Sequence, residues 1–369
     1  MRVAFERRLI IVLFLFSFLE NDAQEKPDSM TIRYDFSGRF LYNTIWSERS
    51  SLQQFTKYHP LGVQLDFGII KNSQRTWNYC NCYTRNGVSI GYFDFRNSSE
   101  LGNAFTFSFF TEPTLFSTNN FSLSARGSVG LARLNKLYDS LSNRDNIFFS
   151  TQMSYYLMLG VNARLKLSKS VSASAMTYMN HISNGGRREP NEGMNFFGAS
   201  LSIDYAINHI ELQKRQREKF TDKTFGLMIH PFGAQRTVQA TNYFAEEKNV
   251  VLGANLGLIK RIGRVNAFGI GGEFYYDGIN SAYQARTGQT IQTAVGGVSI
   301  QHYLFLGKLL LGQQLAMFVT PNTGYAQRFY ERFFFEYEVK KDWYAGVTLK
   351  SHKDHSDYLA FSIGHKLKL

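Results

Sequence analysis

The 369-residue chain has no long apolar run beyond its first residues. Its one compact run, the eleven residues Leu9–Leu19, follows Arg2, Arg7 and Arg8 and precedes Ala23, a small residue suited to a cleavage site. A basic start, a short apolar run and a small residue predict a secretory signal peptide over residues 1–23. Because no later stretch holds about 18 consecutive apolar residues, we expect no transmembrane helix.

Helical periodicity, proline and cysteine are scarce as well. No convincing apolar period of about 3.6 residues follows the signal segment, and the six prolines lie near expected turns, where a sheet tolerates them. Cys80 and Cys82 are too few ligands for a metal site. Bridging two residues on one face of a strand strains the geometry, so we expect two half-buried thiols, with a disulfide as the alternative.

Alternation between apolar and polar residues dominates the rest of the chain. From Phe149 to Leu165 the odd-numbered positions are mainly apolar, whereas the even-numbered positions are mostly polar or small. The pattern recurs in about fourteen to sixteen segments, each long enough for a tilted membrane strand. Together with 15% aromatic residues, this predicts an all-β, antiparallel transmembrane β-barrel of the outer membrane.

A soluble sandwich or a lipocalin-like barrel would also alternate. The polar rows here are rich in Ser, Gly, Asn, Gln and Tyr rather than in charged residues, which favours the membrane barrel. The formal net charge of +12 suits a phosphate-rich membrane surface, although cations scattered over loops and lumen explain it equally well.

The most charged stretch, QKRQREKFTDK at residues 213–223, divides the alternating segments into two similar sets. We therefore assign residues 24–212 to a first half and residues 213–369 to a second half. A sheet in lipid must close to leave no unpaired edge, so we expect both halves to complete one barrel. Two tandem pieces remain the alternative.

Two further motifs contain residue types that occur in catalytic or metal sites, and we interpret both as structural. GVSIG at Gly87–Gly91 matches the G-x-S-x-G nucleophile elbow, but Ser89 falls within a strand instead of at a strand-to-helix turn. KSHKDHSD at Lys350–Asp357 holds His, Ser and Asp without a recognised metal-ligand spacing. For it we expect a solvated loop, with a degenerate second site as the next interpretation.

The stretch HISNGGRREPNEGMN, His181–Asn195, combines polar and reactive residues at a predicted hairpin. Continuing the apolar rows of the flanking strands places His181 and Ser183 on the outward row, with Asn195 opposite them near one rim. Serine and histidine are costly on a lipid-facing row. Together they are the minimum for nucleophilic acyl transfer, with histidine as general base and a third group orienting it.

The connection between these two strands adds groups that fit an ester substrate. Asn184 offers a side-chain amide, and the glycine pair that follows it exposes backbone N–H groups that could stabilise an oxyanion. Arg187 and Arg188 could bind the phosphates of a lipid headgroup.

This stretch resembles the PagL-type lipid A 3-O-deacylases, also described as acyloxyacyl-hydrolase-like proteins. Their signature is H-x-S-N followed by P-N-x-G in the last hairpin of an eight-stranded outer-membrane barrel. The segments WNYCNCYTRNGVSIGYFDFRNSSELGNAF and GLARLNKLYD are similar to further blocks of the Bacteroidetes-type variants. The resemblance covers residues 60–210, and the long C-terminal remainder lies outside the founding fold.

By this resemblance Ser183 is the nucleophile, His181 the general base, and Asn184 and Gly186 the oxyanion donors. The third triad member is a glutamate in the founding enzymes, and Asn195 stands in its place. An asparagine carbonyl can still fix the imidazole tautomer, but it cannot give an imidazolium a full counter-charge.

Glu189 and Glu192, in the same stretch, are the alternative acids. The resemblance implies an exported outer-membrane serine esterase that removes an ester-linked acyl chain from lipid A or a related glycolipid. No cofactor, metal or nucleic acid is implied, and a homodimer stays open. The rival hypothesis is a non-catalytic outer-membrane barrel, either a pore or a structural protein, that keeps a degenerate site.

Overall fold

The computed structural model describes residues 31–369 apart from 48, 214, 223, 353 and 354. The predicted signal peptide at 1–23 lies outside the described residues, as do Lys353 and Asp354. The described part forms sixteen β-strands, which confirms the all-β prediction at the upper end of the expected strand number. No helix in this part is long and apolar enough to cross a membrane.

The strands fall into two consecutive sets of eight, joined by irregular chain. The first set is β1 (Thr31–Trp46), β2 (Leu61–Asn72), β3 (Thr84–Asp94), β4 (Asn103–Ser117), β5 (Phe121–Leu134), β6 (Met153–Lys166), β7 (Val171–Ser183) and β8 (Met194–Ala206). The second set is β9 (Phe225–Val238), β10 (Glu247–Arg261), β11 (Asn266–Asp277), β12 (Ala294–Leu306), β13 (Leu309–Phe318), β14 (Phe329–Lys340), β15 (Trp343–His352) and β16 (His355–Lys368). The connections include a 3-10 turn at Ser50–Phe55 and the helices α1 (Gln74–Cys80) and α2 (Gly278–Thr287).

Each set closes on itself as an antiparallel barrel. In the first barrel β1 pairs with both β2 and β8, and in the second barrel β9 pairs with both β10 and β16. The expectation of a single barrel is therefore wrong. Closure within each set already pairs the first strand with the last, so neither set keeps a long open edge for the other.

Alternate residues of the strands form an apolar outer surface on both barrels. Phe40, Leu65 and Phe107 are exposed on the first barrel, and Ile270 and Ile300 are exposed on the second. In water such a surface would be unfavourable, whereas a hydrocarbon environment accommodates it. The period-two pattern of the sequence thus corresponds to an outer apolar face and an inner polar face.

Buried ion pairs fill the lumen of the first barrel. The Arg126 guanidinium donates to both carboxylate oxygens of Asp66, at 2.6 and 2.9 Å, and Arg85 Nε donates to Asp35 Oδ1 at 2.5 Å. Ser89 belongs to this network, because its hydroxyl donates to Asp66 Oδ1 at 2.7 Å. The structural interpretation of the GVSIG motif is confirmed, since Ser89 lies inside the barrel in mid-strand.

The second lumen is filled in the same way. Arg332 donates to both oxygens of Glu273, at 2.6 and 3.1 Å, and His230 Nε2 lies 3.2 Å from Glu336 Oε2. All four side chains are buried. The charges of Arg332 and Glu273 compensate each other inside the barrel, which limits the cost of removing them from water.

KSHKDHSD also contributes to this second lumen. Lys350 ends in the lumen and its Nζ donates to Asp357 Oδ2 at 2.8 Å, with both residues buried. The expectation of a solvated loop is wrong for these residues, because β15 runs to His352 and β16 begins at His355. Within the motif, the charged side chains of Lys350 and Asp357 therefore point inward.

Cys80 and Cys82 form a disulfide, so the expectation of two thiols is wrong. The expectation placed both residues on a strand, but Cys80 ends helix α1, which begins after Ser73, whose hydroxyl accepts the Thr76 N–H. Asn81 has a left-handed backbone with φ of 52°, and the turn brings the two Cα atoms to 5.0 Å. That separation is within the range that a disulfide spans.

The two barrels contact each other at both ends. At the end that carries α1, the indole N–H of Trp77 donates to the Gln216 carbonyl at 3.2 Å, and Arg264 Nη1 donates to the Asn78 carbonyl at 2.7 Å. At the opposite end the Leu359 N–H donates to the Gly185 carbonyl at 3.1 Å. We call this opposite end the site rim, because β7 ends and β8 begins there.

Candidate active site

The hairpin of β7 and β8 brings the predicted residues together on the outside of the first barrel. His181 and Asn195 are direct cross-strand partners, and Ser183 follows His181 by two residues on the same row. Met179 on this row is exposed, so the row faces outward. His181 and Ser183 are the last residues of that row before the chain leaves β7 at the site rim.

His181 is hydrogen-bonded at both ring nitrogens. Its Nε2 lies 2.9 Å from Ser183 Oγ, and its Nδ1 lies 2.7 Å from Asn195 Oδ1. An amide oxygen can only accept, so Nδ1 carries the proton and Nε2 is free to accept the serine proton. This is the tautomer that a general base for serine requires.

Apolar neighbours surround the three residues. Ser183 is 3% exposed. On the neighbouring strand β6, Tyr155 lies opposite Ser183 and Leu157 lies opposite His181. Next to the site on the outer face, Phe197 remains exposed. The three residues therefore lie on the outward row of the barrel wall and not on the row that faces the lumen.

Two family models match the chain, each over one barrel. The model for lipid A 3-O-deacylase (PagL) matches residues 30–204, and the model for the C-terminal domain of acyloxyacyl hydrolase matches residues 225–369. The chain belongs to the PagL-type deacylase family. The second match shows that the C-terminal barrel is also a recognised part of such hydrolases, although it lies outside the motif region considered above.

Solved structures and curated proteins add little to this family assignment. A mutant of the Rh. blastica porin is 9% identical, with 91% of this chain and 100% of that chain covered and a TM-score of 0.21. A deltaS2 mutant of the TodX monoaromatic hydrocarbon channel is 9% identical, with 92% and 89% covered and a TM-score of 0.19. Likenesses this weak carry no argument. No curated protein matches the chain.

We call the connection between β7 and β8, residues 184–193, the site loop. Asn184 is buried in it, and its side-chain amide donates to Ser150 Oγ at 2.9 Å and to the Arg188 carbonyl at 2.6 Å. Its Oδ1 accepts the Arg187 N–H at 3.0 Å. Because both amide hydrogens are donated within the protein, the structure places Asn184 as an organiser of the loop and not as a free oxyanion donor.

Two consecutive glycines follow in left-handed conformations, Gly185 with φ of 66° and Gly186 with φ of 76°. Side chains rarely adopt such a backbone, so glycine is required at both positions. Among the described residues neither glycine N–H has a hydrogen-bond acceptor. Gly186, predicted as an oxyanion donor, thus keeps its amide available.

A third glycine of the site loop, Gly193, permits the close packing of His181 and Ser183. Its φ is 66°, and a Cβ there would lie 2.8 Å from His181 Cε1 and 3.0 Å from Ser183 Cβ. Any side chain at this position would displace one of the two residues.

Asn191, to which the sequence analysis gave no role, is a further candidate. It is 1% exposed, and its Oδ1 accepts the Asn184 N–H at 2.9 Å. Its side-chain nitrogen is buried and has no acceptor within the described part of the chain. A buried amide donor without a partner is costly unless a ligand uses it. The P-N-x-G motif contained the signal, since its asparagine is Asn191.

The alternative acids and the two arginines occupy other places around the loop. Glu189 Oε2 accepts the Asn191 N–H at 2.9 Å, and Glu192 forms an ion pair with Arg49. Neither carboxylate replaces Asn195 at His181 Nδ1, so the structure does not support the alternative-acid hypothesis. Arg187 and Arg188 are exposed beside the site.

Proposed function

We propose that this protein is an outer-membrane serine esterase that removes an ester-linked acyl chain from lipid A or a related glycolipid. The observation that carries the proposal is the hydrogen-bonded series of Ser183, His181 and Asn195 on the apolar outer face. Membership in the lipid A 3-O-deacylase family supports both the reaction and the substrate.

In the acylation step, Ser183 Oγ attacks the ester carbonyl carbon while its proton moves to His181 Nε2. The carbonyl oxygen becomes an oxyanion. The Gly186 N–H and the Asn191 side-chain amide, both without acceptors among the described residues, supply the donors that stabilise it. Asn195 keeps the imidazole oriented, and the positive charge on His181 is only dipole-stabilised.

Collapse of the tetrahedral intermediate breaks the ester C–O bond, and His181 returns its proton to the departing sugar oxygen. An acyl group then remains on Ser183 Oγ. In the second step His181 takes a proton from water, the hydroxyl attacks the acyl carbon, and the fatty acid leaves as Ser183 regains its proton. The residues present complete the cycle without a bound metal or cofactor.

The position of the site suits a substrate in the outer leaflet. All four connections at the site rim are loops (47–60, 95–102, 135–152 and 184–193), whereas at the other end 118–120 and 167–170 are short turns and only 73–83, which contains α1, is longer. Outer-membrane barrels carry their long loops on the extracellular side. Arg187 and Arg188, exposed at this rim, are then placed to bind the headgroup phosphates, while the acyl chains contact the apolar face.

Purified protein in mixed micelles with lipid A provides the test. We expect release of free fatty acid and a lipid A product one acyl chain lighter, both measured by mass spectrometry. Ser183→Ala abolishes release, and Ser89→Ala, the matched serine of the GVSIG motif, retains it. Equal release by Ser183→Ala and the unaltered protein would contradict the proposal.

A further inference from the structure

The beginning of β16 has one open edge, and the site loop of the other barrel covers it. Leu359 pairs with Leu349 of β15 on one side, but pairing with β9 starts only at Phe361, opposite Gly233. On the open side the Leu359 N–H donates to the Gly185 carbonyl at 3.1 Å. An open strand edge needs such a partner, and here the partner is the loop that follows the nucleophile.

The contact leaves no room for a side chain on either glycine. A Cβ on Gly185 would lie 2.8 Å from Leu359 Cβ, and a Cβ on Gly186 would collide with the Asp357 carbonyl oxygen. The glycines therefore permit the site loop to lie directly on β16. A second contact holds the far side of the loop, where the Gln239 side chain donates to the Glu189 carbonyl at 2.8 Å.

Asp357, which lies under Gly186, is itself held firmly in the second lumen. Its Oδ2 accepts from Lys350 Nζ at 2.8 Å, and His352 Nδ1 lies 2.8 Å from the same oxygen. The Lys350 ammonium lies 4.0 Å from the ring centroid of Tyr325 and 4.8 Å from that of Tyr330. Cation–π contacts and a buried ion pair thus restrict this part of β16.

We propose that the second barrel positions the oxyanion donors of the first barrel, with Asp357 and Leu359 of β16 holding Gly185 and Gly186 in their left-handed conformations. The inference rests on the proposed function, since it assigns the C-terminal barrel a role in that same reaction. Leu359 and Asp357 are positioning residues, because they act through the loop and do not contact the reacting atoms.

A positioning role of this kind acts on the rate of reaction more than on substrate binding. The oxyanion exists only after attack, so a misplaced Gly186 N–H weakens the transition state and leaves the bound ester unaffected. The expected signature is a lower kcat with an unchanged KM. General loosening of the second barrel would instead lower the amount of folded protein.

Two substitutions at one position isolate the hydrogen bond. Leu359→Pro and Leu359→Ala both remove the leucine side chain. Only proline also removes the backbone N–H that donates to the Gly185 carbonyl. We expect kcat of Leu359→Pro to fall at least tenfold below that of Leu359→Ala, approaching the loss of about 10²–10³-fold for a deleted oxyanion donor. KM stays within about twofold of the unaltered protein. Equal kcat values for the two variants overturn the inference.

A second pair keeps the test decisive if the proline variant does not fold. Asp357→Asn and Glu336→Gln each neutralise one buried carboxylate of the second lumen with little change in shape, and only Asp357 lies under the site loop. We expect kcat to fall for Asp357→Asn and to stay near the unaltered value for Glu336→Gln. Equal effects on kcat would overturn the inference.

Failure of the inference is distinguishable from failure of the proposed function. If Ser183→Ala and the unaltered protein leave lipid A equally intact, the esterase proposal itself is wrong. If Ser183 is required for deacylation and the matched pairs do not differ, only the role of the second barrel is wrong.

Discussion

In the proposed reaction, Asn195 takes the place that a carboxylate holds in most triads. Its Oδ1 accepts from His181 Nδ1 at 2.7 Å, and this fixes the tautomer without supplying a negative charge. Orientation and counter-charge, which one carboxylate provides together in most triads, are therefore separated here. Substitutions at position 195 alone can therefore measure the contribution of orientation and the contribution of counter-charge separately.

Substituting Asn195 by aspartate and by leucine tests this directly. Asn195→Asp keeps the acceptor and adds a counter-charge for the imidazolium, so we expect kcat to rise about tenfold, equivalent to ~1.4 kcal/mol. Asn195→Leu has a similar size and no acceptor, so we expect kcat to fall by about 10²–10⁴-fold. Steady-state deacylation kinetics on lipid A micelles measure both. A leucine variant as active as the unaltered protein would show that Asn195 does not orient His181.

The sequence allowed some site residues to be predicted better than others. His181, Ser183 and Asn195 follow from strand alternation and hairpin register, which are local and periodic. The place of Asn184 and the free amide of Asn191 depend on which partner each side chain selects within a ten-residue loop. Strand periodicity holds no information about that choice, so these two assignments required the structure.

At the scale of the strand, the inward-facing rows are held by buried ion pairs whose partners lie on different strands. Asp66 on β2 receives two hydrogen bonds from Arg126 on β5 across the lumen. Removing Asp66 leaves the buried Arg126 with only the more distant Glu112 carboxylate, at 3.6 Å, and a buried charge that loses its hydrogen-bonded partner costs more than the pair itself contributes.

We expect Asp66→Asn to destabilise the first barrel by about 3–5 kcal/mol, because Arg126 then keeps its charge in a closed lumen. The control is Asp94→Asn, which removes an exposed ion pair with Arg96 at 4.0 Å and should change stability by less than about 1 kcal/mol. Urea-induced unfolding in detergent micelles measures both variants. Similar effects of the two substitutions would show that the lumen pair contributes little.

The number of strands was predictable from alternation, but their closure was not. Alternation identifies each strand separately. It does not indicate whether β8 pairs with β9 or with β1. The same limit applied to Lys350 and Asp357, whose charges suggested a loop until the pairing of β15 with β16 placed them in a lumen. Cys80 and Cys82 were misassigned because α1 interrupts the strand pattern over only seven residues.

At the scale of the whole molecule, two eight-stranded barrels differ from one sixteen-stranded barrel in the width of the lumen. Sixteen strands in one barrel leave an aqueous channel, whereas eight leave room for little more than the side chains of the lumen. Here both lumens contain paired charged residues, including Arg126 with Asp66 and Arg332 with Glu273. The rival hypothesis of a pore therefore loses its structural basis.

Planar-bilayer recordings test this conclusion. We expect purified protein to produce no discrete conductance steps, because buried side chains and their ion pairs occupy both lumens. Substituting Arg126 and Asp66 together by alanine widens the first lumen and serves as the comparison. Stable steps from the unaltered protein would favour the pore.

The most direct test of the account compares lipid A from cells that produce the unaltered protein with lipid A from cells that produce Ser183→Ala. Matched amounts of folded protein in the outer membrane are the control. We predict that mass spectrometry shows lipid A one ester-linked acyl chain lighter in the first sample and intact lipid A in the second. Identical acyl patterns in both samples would contradict the claim that Ser183, His181 and Asn195 form a working esterase.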